Sequence, residues 1–156
     1  MLWDLNRQTF VRELPAKGHV DCARINDVTG EIAVCRGSRI SLYTLNGALL
    51  LDQAVCESDD DQVMSCVFYE GVNNEWQERE LLFTGHRRGV VNIWSKIVHN
   101  GRFEFELIRQ LHHTDSSRDN GANISSGISC ILTLPHVVYT GDEVGKVYEW
   151  SCVQRR

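Results

Sequence analysis

No stretch of this 156-residue chain approaches the run of about 18 apolar residues that a membrane-crossing helix needs, so no direct membrane span is expected. The first residues also lack the basic and apolar regions of a secretory signal, which leaves a cytoplasmic protein as the expectation. Positive charge is in short supply: 16 Lys and Arg stand against 21 Asp and Glu, for a formal net charge of −5. Phosphate binding is carried by clustered Lys and Arg, so no nucleic-acid partner is expected. Apolar residues at helical spacing are missing over any long window, which argues against a helical domain. None of the six cysteines belongs to a C-x-x-C pair, and no nucleophile, base and orienting group meet in any motif. The expectation is therefore a protein that is not an enzyme, with no catalytic residues, no metal and no cofactor. What remains, 42% hydrophobic and 24% charged residues, is the composition of a soluble globular protein.

What the chain does have is repetition. The stretch "LLFTGHRRGVVNIWSK" (81–96) joins an apolar opening to a glycine-bracketed turn and then to alternating apolar residues that end on Trp94. Gly85 and Gly89 suit a tight turn needing positive φ, and the β-branched residues after it suit a strand, so a hairpin is predicted with its turn running from Gly85 to Gly89. The pattern returns as "VVYTGDEVGKVYEWSC" (137–152), in which Thr140, Gly141, Gly145, Val147 and Trp150 match Thr84, Gly85, Gly89, Val91 and Trp94. A looser copy, "IAVCRGSRISLYTL" (32–45), puts Tyr43 at the Trp position after a shortened turn, and the chain opens on "LWDLN" with Trp3 and Asp4. Upstream of each hairpin lies a strand-like run with a Cys in the same place: "VDCARIN", "VMSCVFY" and "ISCILTL". Downstream of the first two lie "ALLLDQA" and "FEFELIR".

Units of four antiparallel strands over roughly 40 to 45 residues, with a Trp closing the third, are the mark of WD40 propeller blades. The expected fold is all-β: a partial ring of two full blades plus parts of two others. Residues 1–14 end a preceding blade, 15–55 form one blade, 56–111 form a second with the long insertion "EGVNNEWQERE", and 112–156 supply a surface loop and an incomplete blade. Propellers close with about four to eight blades. A partial ring exposes sheet faces, so a fragment of a longer protein is expected, marginal or self-associating when isolated.

Individual side chains are weighed on the same pattern. Cys22, Cys66 and Cys130 fall at one point of the repeat and Cys35 on the next strand, which predicts small thiols packed in a sheet. His112-His113 with Asp115 and the "SDDDQ" run from Ser58 are expected to be polar surface connections, the latter lacking the Gly and Glu of a calcium loop. Asn123-Ile124-Ser125 matches a glycosylation acceptor, which matters only in a secreted protein. "TGHRRGVV" joins two strands and lacks a Gly-Lys-Ser/Thr ending, so it is no phosphate loop. At the hairpin tip, His86, Arg87 and Arg88 have no evident packing duty. Two readings stand: a solvated basic turn, or, with Arg36 on the same rim, a surface that grips an acidic or phosphorylated protein partner. That rim is expected to gather Asp59 to Asp61 and His112-His113 as well, with "NNEWQERE" on the opposite one.

"LWDLNR", "INDVTGEIAVC", "LYTLNGALL" and "NEWQERELLFTGHRRGVVNIWSK", in this order, resemble the C-terminal WD40 region of BEACH-domain proteins of the beige and lysosomal-trafficking-regulator type, with a fungal cast. The resemblance covers nearly the whole chain. It implies a non-enzymatic protein–protein interaction scaffold in membrane trafficking, protein sorting or autophagy, with BEACH and PH-like domains upstream in the parent chain and peripheral association with endomembranes. A WD40 recruiting or regulatory subunit of a ubiquitin-ligase or coat complex is the alternative. Gly18-His19 preserves the Gly-His that precedes the first strand of such blades and feeds an internal hydrogen-bond network. Only Trp3-Asp4 keeps the Trp-Asp pair, and Arg88 and Val144 stand where these repeats carry a turn Asp, so the rest of that network is expected to be largely missing.

Overall fold

A computed structural model describes residues 2–4, 6, 9–14, 18–58, 60–69, 80–113 and 126–151. The described residues form strands joined by turns, with no helix among them. The first sheet is β1 (Leu2–Asp4) with β2 (Thr9–Arg12), and the second is β3 (Cys22–Ile25), β4 (Ile32–Arg36), β5 (Arg39–Tyr43) and β6 (Leu49–Ala54). The third is β7 (Val63–Phe68), β8 (Leu81–His86), β9 (Val90–His99) and β10 (Arg102–His112). The fourth is β11 (Ile128–Leu134), β12 (Val137–Asp142) and β13 (Val147–Ser151). Each strand pairs antiparallel with its sequence neighbour, the meander expected of propeller blades. For brevity, the three larger sheets are blades 1 to 3. The insertion "NNEWQERE" up to Arg79, Asp59, Asp115 and the 123–125 sequon lie outside the described residues.

The apolar residues sort onto blade faces. All six residues of β8 are buried, because that strand is covered on both sides, which explains why "LLF" does not alternate. Leu82 and Trp94 join Phe68 and Phe105 against Ala33, Ile40, Leu42 and Leu51 of blade 1. Leu81, Phe83, Val91 and Ile93 face the other way, onto Ile128 and Val138 of blade 3. Ile32, Val34 and Tyr43 pack on the far face of blade 1, where Leu14 reaches them. Polar ties reinforce these interfaces. Gln53 on β6 donates to the Phe105 carbonyl and accepts from the Phe105 N–H, both at 2.8 Å, while Lys96 bridges Glu31 at 2.7 Å and Glu80.

Two of the hairpin expectations change. The turn is shorter than predicted: β8 continues through Gly85 and His86, and only Arg87 to Gly89 reverse the chain. Gly89 has φ 73° and Gly145 φ 84°, so the second glycine of each copy serves the turn. The first does not. A Cβ at Gly85 would meet the Ser65 hydroxyl and stand 2.6 Å from Cγ2 of Ile128 in the next blade, and one at Gly141 would lie 2.6 Å from Cys130 Sγ. These positions are glycine because neighbouring side chains fill the space.

Candidate functional site

The β8–β9 hairpin carries a line of hydrogen bonds from the blade core to the rim. Trp94 Nε1 donates to Thr84 Oγ1 at 2.8 Å, which leaves the threonine proton to point at His86 Nε2, also 2.8 Å away. Asn92 Nδ2 approaches the same ring nitrogen at 3.1 Å. With two donors at Nε2, the imidazole proton sits on Nδ1 and donates to Asp61 Oδ2 at 3.0 Å. The other Asp61 oxygen accepts the Arg88 backbone N–H at 3.2 Å, and the Arg87 N–H binds the Gln62 carbonyl at 3.0 Å. The turn is thereby pinned to the connection that leads into β7.

His86 therefore has a packing duty after all. Its side chain is 1% exposed, so the expectation that it is free to meet a partner is corrected: an imidazole saturated on both nitrogens inside the blade cannot reach one. Burial pushes its pKa below the ordinary value of 6.5, against the opposing pull of Asp61. The sign follows: the unfolded chain takes up the proton first as pH falls through 6.5, so the contribution of neutral His86 is complete above that value and is lost below it. Thermal melting from about pH 7.5 to about 5.5 is expected to show a decline that His86→Gln flattens. An unchanged slope in that variant would contradict this assignment.

Blade 3 builds the same bonds from a different part of the chain. Trp150 Nε1 donates to Thr140 Oγ1 at 2.8 Å, and Thr140 meets His113 Nε2 at 2.6 Å. His113 comes from the connection after β10, half-buried with its ring centroid 3.8 Å from that of Tyr148. It is a network member, while its neighbour His112 stays exposed. The turn position at Val144 is served by Asp142, which accepts the N–H groups of Val144 at 3.1 Å and Lys146 at 2.8 Å. The expectation of a largely missing network is thus corrected in blades 2 and 3. In blade 1 the outcome is the reverse: His19 is exposed, with Nε2 3.6 Å from Asp21, and Gly18 has φ 91°. Trp3 and Asp4 belong to β1, whose side chains lie outside the described residues.

Arg36 is engaged within blade 1. Its Nη2 donates to Ser41 Oγ at 2.8 Å, and Ser41 passes its proton to Asp52 at 2.9 Å, where Arg39 also binds at 3.1 Å. Burial alone would raise the Asp52 carboxyl, but bonds from Arg39 and Ser41 outweigh it and hold it below the usual range. Of the four candidate contact residues, Arg87 and Arg88 are the ones exposed at the tip. Arg88 stands 3.6 Å from the exposed Asp60 and, with Cys56, Asp61, Trp94 and His112, lines a cleft of about 200 Å³. Cys56 Sγ lies 3.4 Å from His86 Nδ1, a pairing that could invite a nucleophile assignment. Burial, with Asp61 adding to it, pushes that thiol up to about 12, so it is no thiolate at neutral pH.

Two groups among the described residues bring metal-ligating atoms together: Cys56 with Asp61 and His86, and Cys22 with Cys35 and Cys66. In the first, the imidazole nitrogen already donates its proton to Asp61. In the second, Cys35 and Cys66 are buried, as expected of thiols packed in the sheets; their sulfurs and that of half-buried Cys22 also meet across two blades, whereas Cys130 is exposed, against that expectation.

No protein-family profile matches the chain. Beige protein homolog 1 of Schizosaccharomyces pombe is 29% identical over 170 residues, covering 96% of this chain and 6% of that protein. Human WD repeat- and FYVE domain-containing protein 4 is 32% identical over 177 residues, covering 97% and 6%. BEACH domain-containing protein A2 of Arabidopsis thaliana is 29% identical over 127 residues, covering 81% and 3%. The chain thus spans a small fraction of the length of these relatives. Among solved structures, the WD40 domain of SCAP from fission yeast superposes with a TM-score of 0.58 at 10% identity, over 88% of this chain and 32% of that one. With the meander sheets, the repeated Trp–Thr–His bonds and these matches, the chain is a run of WD40 propeller blades homologous to BEACH-domain proteins.

Proposed function

We propose that this chain is a non-enzymatic protein–protein interaction module, the WD40 part of a BEACH-type protein that acts in membrane trafficking, protein sorting or autophagy. The observation that carries the proposal is the exposed Arg87-Arg88 tip, held by backbone bonds to Gln62 and Asp61 beside an open cleft. A rigid blade that presents two guanidinium groups loses little entropy on binding, and Arg makes forked, charge-assisted bonds to carboxylates and phosphates. The Arg88–Asp60 pair is solvent-exposed on both sides, so a ligand carboxylate can exchange with Asp60 at little cost. Its partners are acidic or phosphorylated segments of other proteins, with the upstream BEACH and PH-like domains of the parent chain among them. No helix among the described residues is long and apolar enough to cross a membrane, and peripheral association with endomembranes would come through the parent protein.

Acidic peptides with and without phosphorylation, and the purified upstream domains, provide the test by titration calorimetry. Arg87→Ala with Arg88→Ala is expected to weaken capture roughly tenfold or more, about 1.4 kcal/mol, with the melting temperature little changed. Wild-type affinity for every ligand in the double variant would reduce the tip to scaffold.

A further inference from the structure

Cys22 on β3 faces Cys35 on β4 in direct register, and Cys66 on β7 enters from the next blade. All three sulfurs lie within 4.8 Å of one another, with Cys22 and Cys66 Sγ 3.5 Å apart. The cluster sits against the apolar interface of blades 1 and 2, with Cys35 and Cys66 buried and Cys22 half-buried. Metal–sulfur bonds of about 2.3 Å in a trigonal plane place the sulfurs about 4.0 Å apart, within the spread found here. We propose that Cys22, Cys35 and Cys66 form a site for one thiophilic d10 metal ion, Zn(II) or Cu(I), bound between the two blades.

The electrostatics prepare the cluster for such an ion. The three thiols influence one another: contact with Cys35 and then Cys66 lowers the Cys22 thiol, and the same contact raises Cys35 and Cys66. Binding an ion to the three sulfurs as thiolates releases the protons those thiols carry to solvent. Zn(II) takes a water as fourth ligand, whereas Cu(I) is satisfied by three soft sulfurs. No fourth His, Cys, Asp or Glu joins the group among the described residues. Packing alone accounts for small buried thiols, but not for three sulfurs from two blades converging within 4.8 Å of one another.

The fully reduced chain, under argon, would be titrated with Zn(II) alone and with Cu(I) alone against a chromophoric chelator, with proton release followed in parallel. One ion per chain, with protons released as it binds, is expected in at least one arm, and the arm that binds more tightly identifies the ion. Cys22→Ser, Cys35→Ser and Cys66→Ser are each expected to weaken binding by more than about 100-fold, beyond what loss of an outer-shell partner costs. Cys130→Ser and Cys56→Ser should retain wild-type binding. X-ray absorption of the loaded wild-type chain, which depends on no variant folding, should count three sulfur neighbours. Affinity unaffected by the three serine variants, its loss in Cys56→Ser instead, or fewer than three sulfurs would overturn the assignment. The Arg87-Arg88 proposal stands or falls separately.

Discussion

Trp94→Ala is expected to lower stability by about 3–5 kcal/mol, the usual cost of removing a large buried aromatic. Two losses add. The indole is 6% exposed and belongs to the core shared by blades 1 and 2, so its removal opens a cavity that strands on two sheets would have to close. It also donates to Thr84 Oγ1, whose hydroxyl is fully buried and orients His86. Losing that bond loosens the line that pins the turn through Asp61. For a chain of this length each kcal/mol corresponds to roughly 2–4 °C in melting temperature, so a fall on the order of 10 °C should appear by calorimetry. Trp150→Ala makes the comparison, because that ring donates the equivalent bond but is only half-buried. Equal losses in the two variants would contradict the assigned burial.

Gly85→Ala is expected to cost about 1–3 kcal/mol through overpacking, and Gly141→Ala less, although the two glycines match in sequence. The added methyl at Gly85 would collide with Ile128, a fully buried residue of blade 3 that faces blade 2, whose Cβ and Cγ2 stand 2.7 and 2.6 Å away. Ile128 lies in the same buried cluster as Val91 and Val138, so it can yield only by disturbing that packing. At Gly141 the obstacle is the sulfur of exposed Cys130, which can rotate aside. Urea midpoints of the two variants decide it. If Gly141→Ala proves the more damaging, the close approach of Ile128 is not what keeps position 85 a glycine.

The repeat made the fold legible, because Thr, Gly and an aromatic recur at matched places in strands that must each bury one face on a neighbour. Chain order gave the meander, and the aromatic at position 94 marked where β9 crosses the core. The site was less legible for a definite reason. Blade 2 takes its histidine from the end of β8, while blade 3 takes His113 from the connection after β10, so no fixed spacing links imidazole to threonine. A histidine beside two arginines looks like turn surface until the register shows Gly85 paired with Val91 and the strand continuing past it. Cys22, Cys35 and Cys66 escape spacing rules for a similar reason: those rules describe ligands delivered by one hairpin, and these arrive on three strands of two blades.

The two bonds between Gln53 and Phe105 have a bearing on how the outer edges of the sheets behave. β6 and β10 are the last strands of their sheets, and an unpaired edge of that kind is a template on which a foreign strand can grow. The Gln53 carboxamide carries a donor and an acceptor side by side, as a peptide unit does, and it occupies both backbone groups of Phe105. A single side chain thus impersonates the next strand. It interrupts the 11-residue length of β10 near its first third and joins the blades by the bonds an aggregating neighbour would use.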